Sequence, residues 1–237
     1  MFSKSARFYD AVYAAADKDY KIEAEKAHQI IQQKKRSSGN TLLEVACGTG
    51  LHASIFQKYY MVEGLDLDTE MLTVASHKNP DITFHQANMI DFALNNQFDV
   101  ITCLFSSIGY VKTKARLEQA IQNMAHHLVP GGVLMVEPWF TPEQWKTGRV
   151  SALFVDQPDI KISRMNISEA DGKLSFFVFH YMVATPQGVE YFTERHELGL
   201  FIHEEYMEAF HKTGLEVTHD PEGLDGRGLY LGMKPDT

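Results

Sequence analysis

Cysteine is nearly absent: Cys47 and Cys103 are the two thiols in 237 residues, too few for a disulfide framework, so the expectation is a reduced, cytoplasmic chain. No stretch approaches the roughly 20 apolar residues needed to span a bilayer, and the segment from Met1 to Tyr20 lacks the apolar core of a signal peptide, which argues against a membrane partner. Positive charge is in deficit, with 22 basic against 31 acidic residues and a formal charge of -9. That balance argues against nucleic acid as a partner but leaves room for a small anion in a local arginine pocket. The 11 histidines show no metal-ligand spacing, and His126, His127, His203 and His211 fall on helices expected at the surface. Internal repeats and low-complexity tracts are missing as well.

What is present is organised around Thr41-Leu42-Leu43-Glu44-Val45-Ala46-Cys47-Gly48-Thr49-Gly50, a mostly apolar run that breaks into two glycines. The run suits a strand covered on both faces, followed by a tight turn and a helix near Gly50 to Lys58. Glycines at 48 and 50 admit backbone angles closed to other residues and let a ligand approach the main chain. The spacing Gly48-x-Gly50-x-x-Ala53 also satisfies the loose dinucleotide fingerprint. Glu44 shifts the balance, because a carboxylate below the turn repels a pyrophosphate and attracts a cation. S-adenosylmethionine is a cationic ligand without phosphate; a nicotinamide-dependent oxidoreductase stays as a distant alternative.

Alternating strand and helix patterns argue for an α/β domain with a mostly parallel sheet and helices on both faces. Strands are expected at Thr41 to Ala46, Met61 to Asp66, Ile82 to Gln86, Phe98 to Phe105 and Gly132 to Pro138. Helices are expected at Asp68 to Asn79, Lys114 to Leu128 and, as a short piece, Pro142 to Trp145. One domain over 1–237 is expected: a helical cap over 1–40, a cofactor-binding core over 41–140, an antiparallel insertion over 150–201, and a closing helix and strands over 202–237. In the insertion three β-rich runs stand out, Ile160 to Ile167, Leu174 to Ala184 and Val189 to Phe201. Ligands in such sheets sit at the carboxyl ends of the strands.

Glu44-Val45-Ala46-Cys47-Gly48-Thr49-Gly50, the acid ending Gly64-Leu65-Asp66, and Leu128-Val129-Pro130-Gly131-Gly132-Val133-Leu134 resemble the motifs of class I S-adenosylmethionine-dependent methyltransferases. Phe8-Tyr9-Asp10, Lys18-Asp19-Tyr20, Met89-Ile90-Asp91-Phe92, Thr102-Cys103-Leu104-Phe105-Ser106-Ser107-Ile108-Gly109, Glu137-Pro138-Trp139 and Gly226-Arg227-Gly228-Leu229 extend the likeness. It runs to the N,N-dimethyltransferases of nucleotide-linked 3-amino-deoxysugars in macrolide pathways. The resemblance implies N-methylation of an amino-sugar nucleotide, with methylation of another small amine or hydroxyl as the alternative. Expected cofactor contacts are Tyr9, Tyr20, Glu44, Ala46, Cys47, Gly48, Gly50, Asp66, Leu67, Met71, Asn88, Met89, Leu104 and Phe105. Glu44 and the glycine turn would take the methionine end, and Asp66 the ribose hydroxyls. Asp68 is the better helix cap, which leaves Asp66 available. Asn88 stands where many relatives carry an aspartate, and its amide oxygen can accept from adenine. Met71, Met89, Leu104 and Phe105 would flank the base.

On the substrate side the expected contacts are Tyr110, Trp139, Arg164, His180 and Arg227. Arg227, between two glycines, is favoured over Arg164 as a diphosphate contact. Trp139 could stack on a base or simply pack, and His180 sits in an apolar run where core burial competes with pocket lining. Tyr110 follows the fourth strand where the macrolide branch has a histidine. With a usual pKa of about 10 it would orient the amine or relay its proton through water, without being an obligatory base. A homodimer is left open.

Overall fold

The computed structural model describes residues 2–236. The cap is a 3-10 turn at Ala6–Phe8 running into α1 (Tyr9–Ala14), followed by α2 (Tyr20–Lys34). Asp19 starts α2 by accepting from the backbone N–H of Ile22 at 2.9 Å, satisfying one donor that a helix start leaves open. The core alternates β1 (Thr41–Val45), α3 (Leu51–Phe56), β2 (Met61–Asp66), α4 (Thr69–Lys78), β3 (Thr83–Gln86), β4 (Phe98–Cys103), α5 (Lys114–His126) and β5 (Leu128–Val136). Four long strands follow: β6 (Val150–Gln157), β7 (Ile160–Asp171), β8 (Leu174–Thr185) and β9 (Gly188–Gly199). The chain closes with α6 (His203–His211), β10 (Glu216–Asp220) and β11 (Leu229–Met233).

The main sheet has seven strands in the order β10-β11-β5-β4-β1-β2-β3, parallel from β3 to β5, with β11 antiparallel to both its neighbours. Adjacent residues of β1 feed two separate cores. Leu42 packs with Ala24, Ala27 and Phe56 on the α2/α3 side, and Leu43 packs with Ile121 and Phe210 on the α5/α6 side. This is why the run shows no alternation of polar residues. Glu44 shares Leu42's face and points toward the cap side, which makes it a buried charge, 3% exposed.

β6 to β9 form a separate antiparallel sheet. Its inner face, through Phe177, Phe179, Tyr181, Val183 and Leu198, packs on Phe8 and Val12 of the cap and on Tyr110 and Trp139 of the core. Glu194 of β9 accepts from the Lys4 N–H at 2.7 Å and from the Ser5 hydroxyl at 2.6 Å, fastening the cap to this sheet. Cap, core ends and second sheet thereby enclose one cleft.

Several local expectations are corrected. The insertion has four strands, because β6 precedes the three anticipated; of β6 only Val155 is buried, so its pattern carries little core signal. No helix forms at Pro142 to Trp145: the Trp145 N–H reaches Thr141 O at 3.1 Å and the turn does not continue. β5 begins at Leu128 and carries Pro130-Gly131 as an irregularity, its register to β4 shifting between Phe98 and Val100. Gly131 there has φ +73°, and its carbonyl accepts from Arg36 and Ser37. His127 is buried, not superficial, with Nδ1 against Asn123 O at 2.9 Å and Nε2 accepting the Leu94 N–H at 3.2 Å.

Candidate active site

The turn after β1 is wound left-handed at Ala46 (φ 59°), Gly48 (φ 55°) and Gly50 (φ 74°). The two glycines do different things. A Cβ at Gly48 would meet nothing within 4 Å, so this residue faces open space. A Cβ at Gly50 would lie 2.9 Å from Asn79 Nδ2 and 3.3 Å from Ala75, so Gly50 serves the close packing of α4. Cys47 is 6% exposed and its N–H joins the turn to β2 through Leu65 O at 3.0 Å. Thr49 donates its hydroxyl to Asp10 of α1 at 2.6 Å, bringing the cap over the turn.

Beneath the turn runs a line of buried charge. Glu44 Oε1 lies 3.4 Å from His52 Nδ1, and His52 Nε2 lies 3.1 Å from Glu23 Oε2 on α2. His52 is 4% exposed; the bonds to Glu23 and Glu44 outweigh the desolvation that would keep it neutral and carry it up to about 9. It is therefore an imidazolium at neutral pH. Glu23 also pairs with Lys18, whose ammonium sits 3.9 Å from the centre of the Phe105 ring. Glu44 Oε2 is buried without a partner among the described residues. Tyr20, edge-on to His52 at 4.8 Å, has a hydroxyl in the same condition.

At the end of β2, Asp66 Oδ2 accepts from Gly48 N at 2.8 Å and Oδ1 from Asp68 N at 2.9 Å. Each oxygen keeps a lone pair for a ligand. Burial pushes this carboxyl above its usual range. Asp68 caps α4 through the Glu70 and Met71 N–H groups, at 3.0 and 3.2 Å. Tyr9, Ala46, Gly48, Asp66, Leu67, Met71, Asn88, Met89 and Tyr110 line a single cavity of about 460 Å³. Asn88 Oδ1 already accepts from Ile90 N at 3.3 Å, leaving its NH2 and one lone pair free.

After β4 the backbone is left-handed at Phe105 (φ 52°) and Ser106 (φ 59°), two consecutive residues other than glycine. Such conformations persist only where the surroundings over-determine them. Glu137, fully buried at the end of β5, accepts the Phe105 N–H at 2.7 Å, and the Ser106 hydroxyl donates to Pro138 O at 2.6 Å. Burial raises Glu137 to about 7, and Arg227 and Lys18 oppose the shift. This clamp sets the 3-10 turn Ser107–Val111 that carries Tyr110 into the cavity. Tyr110's hydroxyl meets His196 Nδ1 of β9 at 2.8 Å.

The remaining expected residues lie elsewhere. Leu104 is 3% exposed and packs with the α2 core, away from the cavity. Phe105 is a platform for Lys18 and Arg227, the latter 5.2 Å from its ring centre, and not a wall of the cavity. Trp139 gives its indole N–H to Ser175 Oγ at 3.0 Å and packs among Phe140, Trp145 and Phe177, joining core to second sheet. His180 is exposed on the outer face of β8, bonded to the Tyr191 hydroxyl at 2.7 Å; strand alternation turns Phe179 and Tyr181 inward and His180 outward. Arg227 is engaged with Ser106 Oγ at 2.9 Å and Asp225 at 2.9 Å. Arg164 lies over Phe179 and Tyr13, at 4.3 and 5.4 Å from their ring centres, and its Nη1 is buried without a partner among the described residues. Of the two arginines, Arg227 is thus engaged within the protein, and Arg164 keeps a donor without a partner among the described residues. Two residues the sequence reading passed over are Glu137 and His196. Glu137 stands inside a family motif, whereas nothing in sequence separates His196 from the other histidines.

Residues 42–132 match the family described as a methyltransferase domain. The dTDP-3-amino-3,6-dideoxy-alpha-D-glucopyranose N,N-dimethyltransferase of Streptomyces fradiae is 38% identical over 230 residues, covering 96% of this chain and 90% of that protein. The crystal structure of Streptomyces venezuelae DesVI superposes with a TM-score of 0.90 at 39% identity, covering 96% of each chain. CalS10, an amino pentose methyltransferase from Micromonospora echinaspora solved with S-adenosylmethionine bound, gives 0.86 at 33% identity, again covering 96% of each chain.

The His52 pairing has a measurable consequence. A histidine whose folded pKa stands near 9, above its unfolded value, contributes stability that is full below pH ~6.5 and lost as pH rises through 9. The wild-type melting temperature should therefore fall by roughly 5 °C between pH 6.5 and 9 beyond the drift of a His52→Gln variant. Parallel curves for the two proteins in differential scanning calorimetry would show that His52 is uncharged.

Proposed function

Because the chain belongs to the class I S-adenosylmethionine-dependent methyltransferases, we propose that it methylates the amine of a nucleotide-linked amino-deoxysugar. The observation that carries this reading is the whole-chain likeness to sugar N-methyltransferases, which spans the second sheet as well as the core. That sheet contributes Arg164, Phe177, Phe179 and His196 to the region around Tyr110. A nicotinamide-dependent oxidoreductase is set aside by family membership, and the carboxylate oxygen Glu44 Oε2 under the turn, without a partner among the described residues, suits a cation.

The residues present fit S-adenosylmethionine. Glu44 Oε2 is an orphaned buried oxygen, suited to an ammonium, and Gly48 leaves room above it. Asp66 would take the ribose hydroxyls, and Asn88 with Met71 and Met89 would hold the adenine; Tyr9 and Tyr20 would cover the site from the cap. When bound, the cofactor supplies an electrophilic methyl group on a sulfonium. The protein's own work is positioning and exclusion of water. Arg164 offers a diphosphate a guanidinium whose Nη1 has no partner among the described residues, with Arg227 as a second, already paired guanidinium. Tyr110, which lines the cavity, orients the amine.

The second copy of this chain is the proposed partner on the outer face of the second sheet. Phe154, Met165, Ile167, Met182 and Tyr191 are 60%, 47%, 55%, 56% and 63% exposed there. Ser163, Ala152, Val150 and His180 lie among them, with an Asp156–Lys161 pair at one end of the face and Glu169 with an Arg195–Glu197 pair at the other. Two chains of the same negative charge meet best over the apolar middle of such a face. A cytoplasmic location accords with the two buried free thiols.

Calorimetry should show S-adenosylhomocysteine binding and no NAD binding, with Asp66→Ala weakening the former by about 10- to 100-fold. Unchanged affinity would remove Asp66 from the site. Mass spectrometry of products from a panel of amino-sugar nucleotides tests the substrate class. Arg164→Lys keeps the charge and loses the fork, so the Michaelis constant for the sugar nucleotide should rise while cofactor affinity holds. Equal turnover of the free amino sugar and its nucleotide would refute the diphosphate and favour another small amine. For the dimer, light scattering should give twice the chain mass for the wild type and a monomer for Phe154→Asp; a monomeric wild type ends that proposal.

A further inference from the structure

His196 is 1% exposed and enclosed by aromatic rings. Phe177 stacks on it at 5.4 Å and 19°, and Phe2 and Phe179 lie at 4.3 and 5.1 Å between ring centres. Its Nδ1 meets the Tyr110 hydroxyl at 2.8 Å, and its Nε2 has no partner among the described residues. Burial pushes its pKa down to about 3, so the ring is neutral, with one nitrogen donating and the other accepting. Burial also raises Tyr110 well above the ordinary tyrosine value, so the phenol keeps its proton.

Two arrangements of this pair are chemically different. If Nδ1 carries the proton, it donates to the phenol oxygen and leaves the O–H free to point into the cleft. If Nε2 carries it, the phenol donates to Nδ1 and presents only oxygen lone pairs to the cleft. A phenol is a far stronger acid than a neutral imidazole N–H, with ordinary pKa about 10, so O–H to nitrogen is the favoured direction. The distinction matters because the amine lone pair forms the new N–C bond. A hydroxyl donating to that lone pair would occupy it, whereas an oxygen accepting an amine N–H holds the nitrogen and leaves the pair free.

We propose that His196 is a positioning residue that takes the Tyr110 hydroxyl hydrogen, so that Tyr110 accepts from the substrate amine and does not donate to its lone pair. The proposal rests on the reading above that the acceptor is an amine. It assigns no proton transfer to the pair: the nitrogen becomes a cation on methylation, and its proton leaves to solvent.

The test has an arm that needs no substrate. Nitrogen-15 NMR of the wild-type protein with S-adenosylhomocysteine should show His196 protonated at Nε2 and accepting at Nδ1; the opposite tautomer overturns the proposal. In turnover, His196→Phe should lower kcat by about 3- to 30-fold, the scale of one misdirected hydrogen bond, with KM equal or lower. Tyr110→Phe should lose a similar factor, and the double variant should turn over at the Tyr110→Phe rate, because His196 acts only through the hydroxyl. His196→Gln, which keeps an acceptor, should recover part of the loss. Losses that multiply in the double variant, or a rise in KM with kcat unchanged, overturn the proposal. If no amine is turned over, the functional reading fails, and the nitrogen signals still decide the role of His196.

Discussion

A carboxylate in the middle of a parallel sheet is untenable unless a counter-charge reaches it from inside the protein, because desolvating an ion costs several kcal/mol. Glu44 meets this constraint through His52, and His52 in turn requires Glu23, since one imidazolium lies between two acids. Glu23 belongs to α2, so the charge under the glycine turn is balanced only when the cap is docked. The chain of charge continues through Lys18 to Asp225, and from Asp225 to Arg227 and Glu137. One line of alternating charge thus ties the acid under the glycine turn, the cap and the clamp behind Tyr110.

The second half of the site is built on backbone strain, and for a related reason. Phe105 and Ser106 take left-handed angles because Glu137 and Pro138 give their polar groups fixed partners. Straight continuation of β4 would carry the chain past the cleft; the twist turns it into the short helix that presents Tyr110. The two buried acids therefore play parallel parts. Glu44 leaves an oxygen for a ligand, while Glu137 uses one oxygen to shape the loop opposite.

Much of this was legible in sequence where a residue's local pattern determines its role. The unbroken apolar run of β1, the turn signals and the alternation of strand and helix follow from backbone chemistry and burial on both faces. Asp68 as helix cap was readable because capping acts over three residues. The misplaced residues are those whose surroundings come from distant segments. His180 lay in a run that looked doubly buried, and the middle of the outer face is indeed apolar, yet none of the described residues covers it. His196 sits in an equally unremarkable stretch and is buried because Phe2, Phe177 and Phe179 converge on it. The surroundings of Arg164 and Arg227 come from distant segments too: Asp225 and Ser106 engage one, and aromatic faces hold the other without a hydrogen-bond partner at Nη1 among the described residues.

The division of labour between the two sheets explains why one fold can serve different acceptors. The parallel sheet offers carboxylates and open backbone at its strand ends, which suits a cofactor of constant structure. The antiparallel sheet offers long strands whose inward side chains alternate in a fixed register, so that Arg164, Phe177, Phe179 and His196 can vary without disturbing β1 or β4. Tyr110 stands where the two meet, carried by the core and bonded to the second sheet. A change of hydrogen-bond partner there leaves the charge line beneath the glycine turn intact, because Tyr110 makes no contact with Glu44, His52 or Glu23 among the described hydrogen bonds.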